Sequence, residues 1–409
     1  MYRVLAISFP FLLFLLAEIC VRSFYPYEPT KPQNLEGWGE GIRPAAGYVH
    51  PPLLIEQDNQ VTISPELLPF MPSVSFPVHT DKKRIFCFGG SATLGVPFEK
   101  TPEKTFPQQL HQILLSAGED VDVINLGGAS FGSDHVLALG LEALSYSPSY
   151  LVIYSGNNEF FTHMINWETQ NTQWVYQKQP SSHLIAHLRE KISPASDLPS
   201  IHTQQQERWQ NLFQGMLVTP EHIDEETHTR RDPIQQAVIE RYIRNLTLLY
   251  QKAAAQQIPI IFAVVPSNLH TPPAISIHSP VQNRPKSWLS LLKKINPQDE
   301  SCMTSLQELT EQNPWYAEAW YKRAQCAHYH QQPSQKWFEA ARDLDMVPGR
   351  PNQALNDALL KSSLPLMLFD AKQEFFHDSC HLTEQGYFAL AEQFSQLILS
   401  NWKFSSPSP

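Results

Sequence analysis

The chain has 409 residues, 42% of them hydrophobic, enough for one large α/β domain with an added module and a real core. Only 17% are charged and the formal net charge is -10. No basic patch or basic helix accompanies that balance, which argues against nucleic acid as a partner. Five cysteines, Cys20, Cys87, Cys302, Cys326 and Cys380, are scattered without a C-x-x-C pair. That is neither a disulfide framework nor a zinc signature. Cys302 and Cys326 could pair in an oxidising compartment, but the expectation is free buried thiols.

Taken in order, the chain opens with Val4 to Val21, an apolar run of 18 residues at the short end of a membrane-spanning helix. No small-x-small cleavage site follows it. Ala17-Glu18-Ile19 before Cys20 does not read as a lipoprotein site either, because Ile19 is bulky. Residues 1–22 are therefore expected as an uncleaved anchor, with a buried N-terminal helix as the alternative. Arg3 and Arg22 flank the run and orient it only weakly. An anchor followed by a large domain suggests an extracytoplasmic catalytic domain. Pro26, Pro29, Pro32, Pro44, Pro51 and Pro52 then punctuate residues 23–82, which are expected as an extended linker rather than a domain.

From Lys83 the pattern becomes α/β. Strands are expected at Ile85–Phe88, Val121–Asn125, Tyr150–Tyr154, Ile258–Val265 and Leu364–Phe369. Helices are expected at Pro102–Ser116, Asp134–Ser145, Pro233–Gln257 and Thr383–Trp402. Such alternation predicts a parallel, doubly wound sheet. The domain would run over 83–279 and resume over 351–409. A Gln- and His-rich excursion, 162–232, would pass over the sheet's catalytic edge. Asn245-Leu246-Thr247 spells a glycosylation sequon inside an expected helix and reads as chance.

Residues 280–350 form a second insertion. Asn313-Pro314-Trp315-Tyr316-Ala317-Glu318-Ala319-Trp320-Tyr321-Lys322-Arg323-Ala324 predicts one helix. Trp337-Phe338-Glu339-Ala340-Ala341-Arg342-Asp343-Leu344-Asp345-Met346-Val347-Pro348 predicts a second, after a turn at Gln332-Pro333. This pair resembles a tetratricopeptide repeat. One repeat cannot bury its own face, so it must pack on the main domain or on a helix such as Pro297–Gln312. It reads either as a docking surface for a protein partner or as a hairpin that only roofs the fold.

Four stretches carry candidate chemistry, each at a strand end or in a loop. They are Gly89-Gly90-Ser91, the run Val123 to Gly132, the run Val152 to Glu159, and Asp378-Ser379-Cys380-His381. Acyl transfer needs a nucleophile, a base, a group that orients the base, and donors for the oxyanion. Ser91 supplies the nucleophile, His381 the base and Asp378 its partner. Asn158 supplies an amide donor that does not titrate. The backbone N–H of Ser91 and one from the second stretch, Ser130 or Gly128, complete the oxyanion hole.

In these stretches the chain resembles the SGNH/GDSL hydrolases, named for Ser, Gly, Asn and His in four blocks. Gly-Gly-Ser91 is similar to the first block, Gly156-Asn157-Asn158-Glu159 to the third, and Asp378-x-x-His381 to the last. An N-terminal anchor with a tetratricopeptide-like insertion is similar to a bacterial subgroup of that family. The resemblance implies a three-layer α/β/α, flavodoxin-like fold with about five parallel strands. It also implies a serine esterase acting on an acyl ester of a carbohydrate or lipid, with no cofactor and no metal. Transfer of the acyl group to a cell-envelope glycan and a non-catalytic scaffold are the rival readings. Two positions depart from the family pattern. Ser130 stands where the second block has glycine, and Glu159 replaces the usual Asp.

Competing motifs fail on single residues. Gly127 to Gly132 nearly spells a dinucleotide fingerprint, but Ala129 occupies the second glycine position. Gly90 to Gly95 has P-loop spacing, but Val96 replaces the lysine. Thr93 breaks the G-x-S-x-G of α/β-hydrolases. His377, Asp378, Cys380 and His381 lack a familiar metal-ligand spacing.

Overall fold

The computed structural model describes residues 53–63, 74–95, 101–160, 223–224, 229–231, 233–274, 276, 286–346 and 348–405. The expected anchor, Val4 to Val21, and most of the excursion 162–232 lie outside these residues. Among the described residues, no helix is long and apolar enough to cross a membrane.

Residues 23–82 are expected to run as a linker, yet part of this stretch folds. Strands β1 (Leu54–Gln57), β2 (Gln60–Ile63) and β3 (Ser75–Pro77) form an antiparallel sheet in that order. Asp58 and Asn59 join β1 to β2 with φ of 51° and 61°. Two central residues at positive φ match the twist of a tight hairpin, and Asp and Asn tolerate that region best after glycine. Leu53, Val61, Ile63 and Phe76 are buried in the same cluster as the main sheet. The Glu142 carboxylate accepts from the backbone N–H groups of Leu53 and Leu54 at 2.8–3.0 Å.

The main sheet uses β4 (Lys83–Gly89), β5 (Val121–Gly127), β6 (Tyr150–Tyr154), β9 (Ile260–Val264) and β10 (Leu366–Leu368), with β7 (Ile223–Asp224) and β8 (Thr229–Arg230) forming a separate short pair. Its order is β10-β9-β6-β4-β5, and every pairing is parallel. Helices α1 (Ser91–Leu94), α2 (Phe106–Ser116), α3 (Ser133–Ala143), α4 (Pro233–Ala255), α5 (Lys286–Lys294), α6 (Cys302–Gln312), α7 (Ala317–Tyr329), α8 (Gln335–Asp343), α9 (Gln353–Leu360) and α10 (Glu384–Ser405), with short 3-10 turns at Pro102–Lys104, Leu144–Tyr146 and Gln373–Phe375, complete the described elements. The two last expected strands, Ile258–Val265 and Leu364–Phe369, are shortened at both ends.

Both faces of the sheet are covered. Phe86, Phe88, Leu126, Leu151, Ile153 and Phe262 pack with residues of α3, α4 and α9. Ile85, Cys87, Val152, Tyr154 and Ile261 pack on the other face with Phe106 and Leu110 of α2 and Leu390 and Phe394 of α10. This alternation along β4 is the strand's period of two. Arg84 belongs to the first face and is 1% exposed. It survives burial because its guanidinium donates to the carbonyls of Pro77, Val78 and Tyr146. The strand order reverses between β4 and β6. Open parallel sheets form a crevice outside the carboxyl ends of the strands at such a point.

The segment carrying α5 to α8 has its own buried clusters. Trp320, Tyr321 and Ala324 of α7 meet Phe338 and Ala341 of α8. Leu306 and Leu309 of α6 meet Tyr316, Ala319 and Cys326. Cys302 and Cys326 are joined in a disulfide with Cα atoms 6.2 Å apart, not held as free thiols. The reason is the packing of α6 on α7, which brings the start of one helix beside the end of the other. The bridge closes a sequence separation of 24 residues. A Cys302→Ala/Cys326→Ala variant is therefore expected to lose about 3 kcal/mol, read by denaturant unfolding. Asn245, the sequon asparagine in α4, is fully buried and donates to Asp134 Oδ1 at 2.7 Å, so it offers no glycosylation acceptor.

Candidate active site

Ser91 is the first residue of α1, immediately past β4. Two glycines let the neighbouring strand ends close on this turn. A Cβ on Gly89 would lie 2.0 Å from the Tyr154 carbonyl oxygen, and one on Gly90 would lie 2.3 Å from Asn158 Nδ2. Thr93 Oγ1 donates to the Tyr154 carbonyl at 3.0 Å, latching α1 to the end of β6. Asn125 Nδ2 donates to the Thr93 carbonyl at 3.1 Å, latching it to β5. In sequence Thr93 stands out only as a break in G-x-S-x-G, and no motif encodes its tie to β6.

His381 comes from the loop between β10 and α10. Its Nε2 is 2.8 Å from Ser91 Oγ, across a sequence separation of 290 residues. Its Nδ1 is 2.7 Å from Asp378 Oδ2. An ionised carboxylate only accepts, so Nδ1 carries the proton and Nε2 of the neutral ring faces the serine hydroxyl. Asp378 Oδ1 accepts from the backbone N–H groups of Cys380 at 2.9 Å and His381 at 2.8 Å. The D-x-x-H spacing thus closes a small turn around its own carboxylate.

The electrostatics follow from these contacts. Burial pushes the Asp378 carboxyl up, but its hydrogen bonds with His381 and the two backbone donors bring it down to about 2. Burial pulls the His381 imidazole down, while the hydrogen bonds to Asp378 and the Cys380 sulfur raise it more, for a net upward shift. Asp378, Cys380 and His381 bring potential metal-ligand atoms within 4.8 Å of one another. The Asp378 oxygens there are already engaged by three N–H donors.

Asn158 follows β6. Its Nδ2 lies against Gly90 and donates to the Phe131 carbonyl at 3.0 Å. The loop after β5 carries the other two candidates. Gly128 donates its N–H to the Gly89 carbonyl at 3.1 Å and sits under the Phe131 ring. Ser130 has φ of 59°, a left-handed backbone that glycine usually supplies.

Glu159 braces these two loops. It is 1% exposed, and its carboxylate accepts from Ser133 N at 2.8 Å and Ser133 Oγ at 2.7 Å. Burial raises its pKa to about 7, against the opposing pull of the Ser133 bonds and of Arg241. An acid raised in the folded state adds stability below its unfolded value and loses it as pH climbs through the folded one. Wild-type protein is thus expected to lose up to roughly 3 kcal/mol between pH ~4.5 and ~7 that Glu159→Gln does not lose. Urea unfolding of both proteins across that range checks it.

No protein-family model and no curated protein matches the chain. The chain is similar in structure to SGNH/GDSL-like lipases and acylhydrolases. One is a GDSL-like lipase from Bacteroides thetaiotaomicron, at 11% identity and TM-score 0.31, covering 78% of this chain and 89% of that one. A lipase/acylhydrolase from Enterococcus faecalis is similar at 13% identity and TM-score 0.30, covering 78% and 96%. An acetyl xylan esterase, AlAXEase, is similar at 13% identity and TM-score 0.29, covering 77% and 98%.

Proposed function

We propose that the chain is a serine esterase that cleaves an acyl ester through Ser91, His381 and Asp378. The observation that carries this reading is the continuous chain of contacts Ser91 Oγ to His381 Nε2 to Asp378 Oδ2, at 2.8 and 2.7 Å, at the reversal point of the sheet. Ser91 Oγ attacks the ester carbonyl as His381 Nε2 takes its proton. Asp378 stabilises the imidazolium. Collapse of the tetrahedral intermediate expels the alcohol, which receives that proton. Water then attacks the acyl-enzyme with His381 again as base, and the acid leaves.

Three donors serve the oxyanion. Asn158 Nδ2 carries a second hydrogen besides the one given to Phe131. Ser91 offers its backbone N–H in the first turn of α1, which has no intrahelical acceptor. The third comes from the loop after β5, from Ser130 or Gly128, and the Gly128 N–H is given to the Gly89 carbonyl. The substrate is an acyl ester of a carbohydrate or lipid, and no cofactor takes part. The domain works on the extracytoplasmic side behind an anchor at Val4 to Val21. The Cys302–Cys326 disulfide supports that side, since such bonds persist in oxidising compartments.

A fluorophosphonate probe tests the reading. It is expected to label the full chain once, at Ser91, and to leave Ser91→Ala unlabelled. An unlabelled wild-type protein would leave the chain a non-catalytic scaffold. If labelling succeeds, acetyl transfer to an oligosaccharide measured against release of acetate separates a transferase from a hydrolase.

A further inference from the structure

The loop that presents His381 is held from outside by Asn268, a residue no motif singles out. Asn268 lies just beyond β9, and all four of its polar groups are engaged. Its Nδ2 donates to the Asp378 carbonyl at 2.9 Å, and its backbone N–H donates to the Ser379 carbonyl at 3.0 Å. Its Oδ1 accepts from the His270 N–H at 3.1 Å, and its carbonyl accepts from Arg350 Nη1. Two of these bonds fall on the D-x-x-H loop. The other two lead to the helical segment that interrupts the domain. Arg350 stands where that segment returns to the sheet and is 1% exposed. The carbonyl of His270 in turn accepts from Tyr321 Oη of α7 at 2.6 Å. Ser379 Oγ closes the circuit by donating to the Gly349 carbonyl at 3.3 Å.

The four-residue turn carries a carboxylate whose side chain is 36% exposed, so its position depends on the bonds that hold the turn. A misplacement of even 1 Å at a reacting group is costly in rate. From this convergence we infer that Asn268 is a positioning residue for the Asp378–His381 pair, and that Arg350 and Tyr321 make the α5–α8 segment part of its frame. The inference rests on the esterase reading for its effect on turnover, but the geometry it claims does not need a substrate. The segment then acts on the reaction through Asn268, without touching the ester.

The test is NMR of the full chain labelled with 15N-histidine, reading the Nδ1–H resonance and the titration midpoint of His381. Asn268→Ala and Asn268→Leu are expected to broaden or lose the resonance and to move the midpoint down by half a unit or more. Turnover of a short-chain aryl ester is expected to fall about tenfold in kcat, with KM unchanged. Arg350→Lys keeps a cationic donor and is expected to keep the wild-type midpoint, while Arg350→Met is expected to move it. Folded Asn268 variants with a wild-type resonance and midpoint would overturn the inference, even if they melt earlier. Should those variants not fold, hydrogen exchange at the N–H groups of Cys380 and His381 decides in Tyr321→Phe. Faster exchange than wild type supports the frame, and equal exchange overturns it. A chain whose Ser91 escapes the fluorophosphonate refutes the esterase and leaves the NMR result to judge Asn268.

Discussion

Ser91→Ala is expected to hydrolyse a short-chain aryl ester about a million-fold more slowly than the wild-type chain, with KM changed little. The size follows from what the substitution removes. Without Oγ no acyl-enzyme forms, and His381 loses the hydroxyl 2.8 Å from its Nε2. Members of such a unit act together, so deleting the nucleophile alone costs nearly as much as deleting the whole set. The donors at Asn158 and the backbone stay in place, so residual catalysis over water of about a thousandfold remains. Ser91 is only part-buried and its Oγ faces the crevice histidine, so the loss of one oxygen should leave the fold alone. Steady-state kinetics on protein with a wild-type melting profile make the comparison. A variant within tenfold of wild type would end the assignment of Ser91 as nucleophile.

Asp378→Asn is expected to lower kcat about ten-thousandfold, because an amide at this position can no longer impose the tautomer with the proton on Nδ1. Its second signature is in the pH profile. His381 must be neutral to act as base, and contact with Asp378 lifts its pKa above the ordinary histidine value despite burial. Wild-type kcat/KM should therefore rise with pH through a midpoint displaced upward. The residual activity of Asp378→Asn should rise through a lower one, since the amide carries no charge. Stability shows the same linkage from both sides. His381, raised in the folded state, contributes fully below the ordinary histidine value and loses that contribution as pH rises through its folded value. Asp378, depressed to about 2, contributes above the ordinary carboxylate value and loses it as pH falls toward 2. The pair therefore stabilises most at pH values between the two ordinary ones. A pH–activity curve of unchanged midpoint in Asp378→Asn would contradict the coupling.

The parts of this molecule that announce themselves in sequence are those with a local cause. Ile85 to Phe88 is a run of β-forming apolar residues stopped by two glycines, so both the strand and the turn at Ser91 are legible. Asp378 and His381 are legible as a pair because their spacing closes a turn within four residues. Asn158 is legible through its glycine-led loop. What stays hidden depends on residues far apart in the chain. The Cys302–Cys326 bridge requires α6 and α7 to lie side by side, which neither helix encodes alone. Thr93 and Asn268 are ordinary polar residues until the ends of β6 and the Asp378 loop arrive beside them. The sheet β1–β3 is masked by the prolines before it, whose extended habit dominates the composition of the stretch. Ser130 reads as a departure from a glycine, and its φ of 59°, a left-handed backbone that glycine adopts more readily, is not visible in sequence.

The sheet β1–β3 also determines where the protein can be cut. Lys83 looks like the natural left boundary of the domain, since the α/β pattern starts there. A protein beginning at Lys83 would nevertheless lack Phe76, whose ring lies edge-on to Phe86 at 5.3 Å. It would also strip two of the three carbonyl acceptors from Arg84, those of Pro77 and Val78. Arg84, near the start of β4, would then keep only the Tyr146 carbonyl, and leaving a donor of a buried charged group without its acceptor typically costs about 1–3 kcal/mol. The Glu142 carboxylate would lose its hydrogen bonds from Leu53 and Leu54 as well. Expression of the α/β domain on its own should therefore start ahead of Leu53, and a boundary at Lys83 should give insoluble protein.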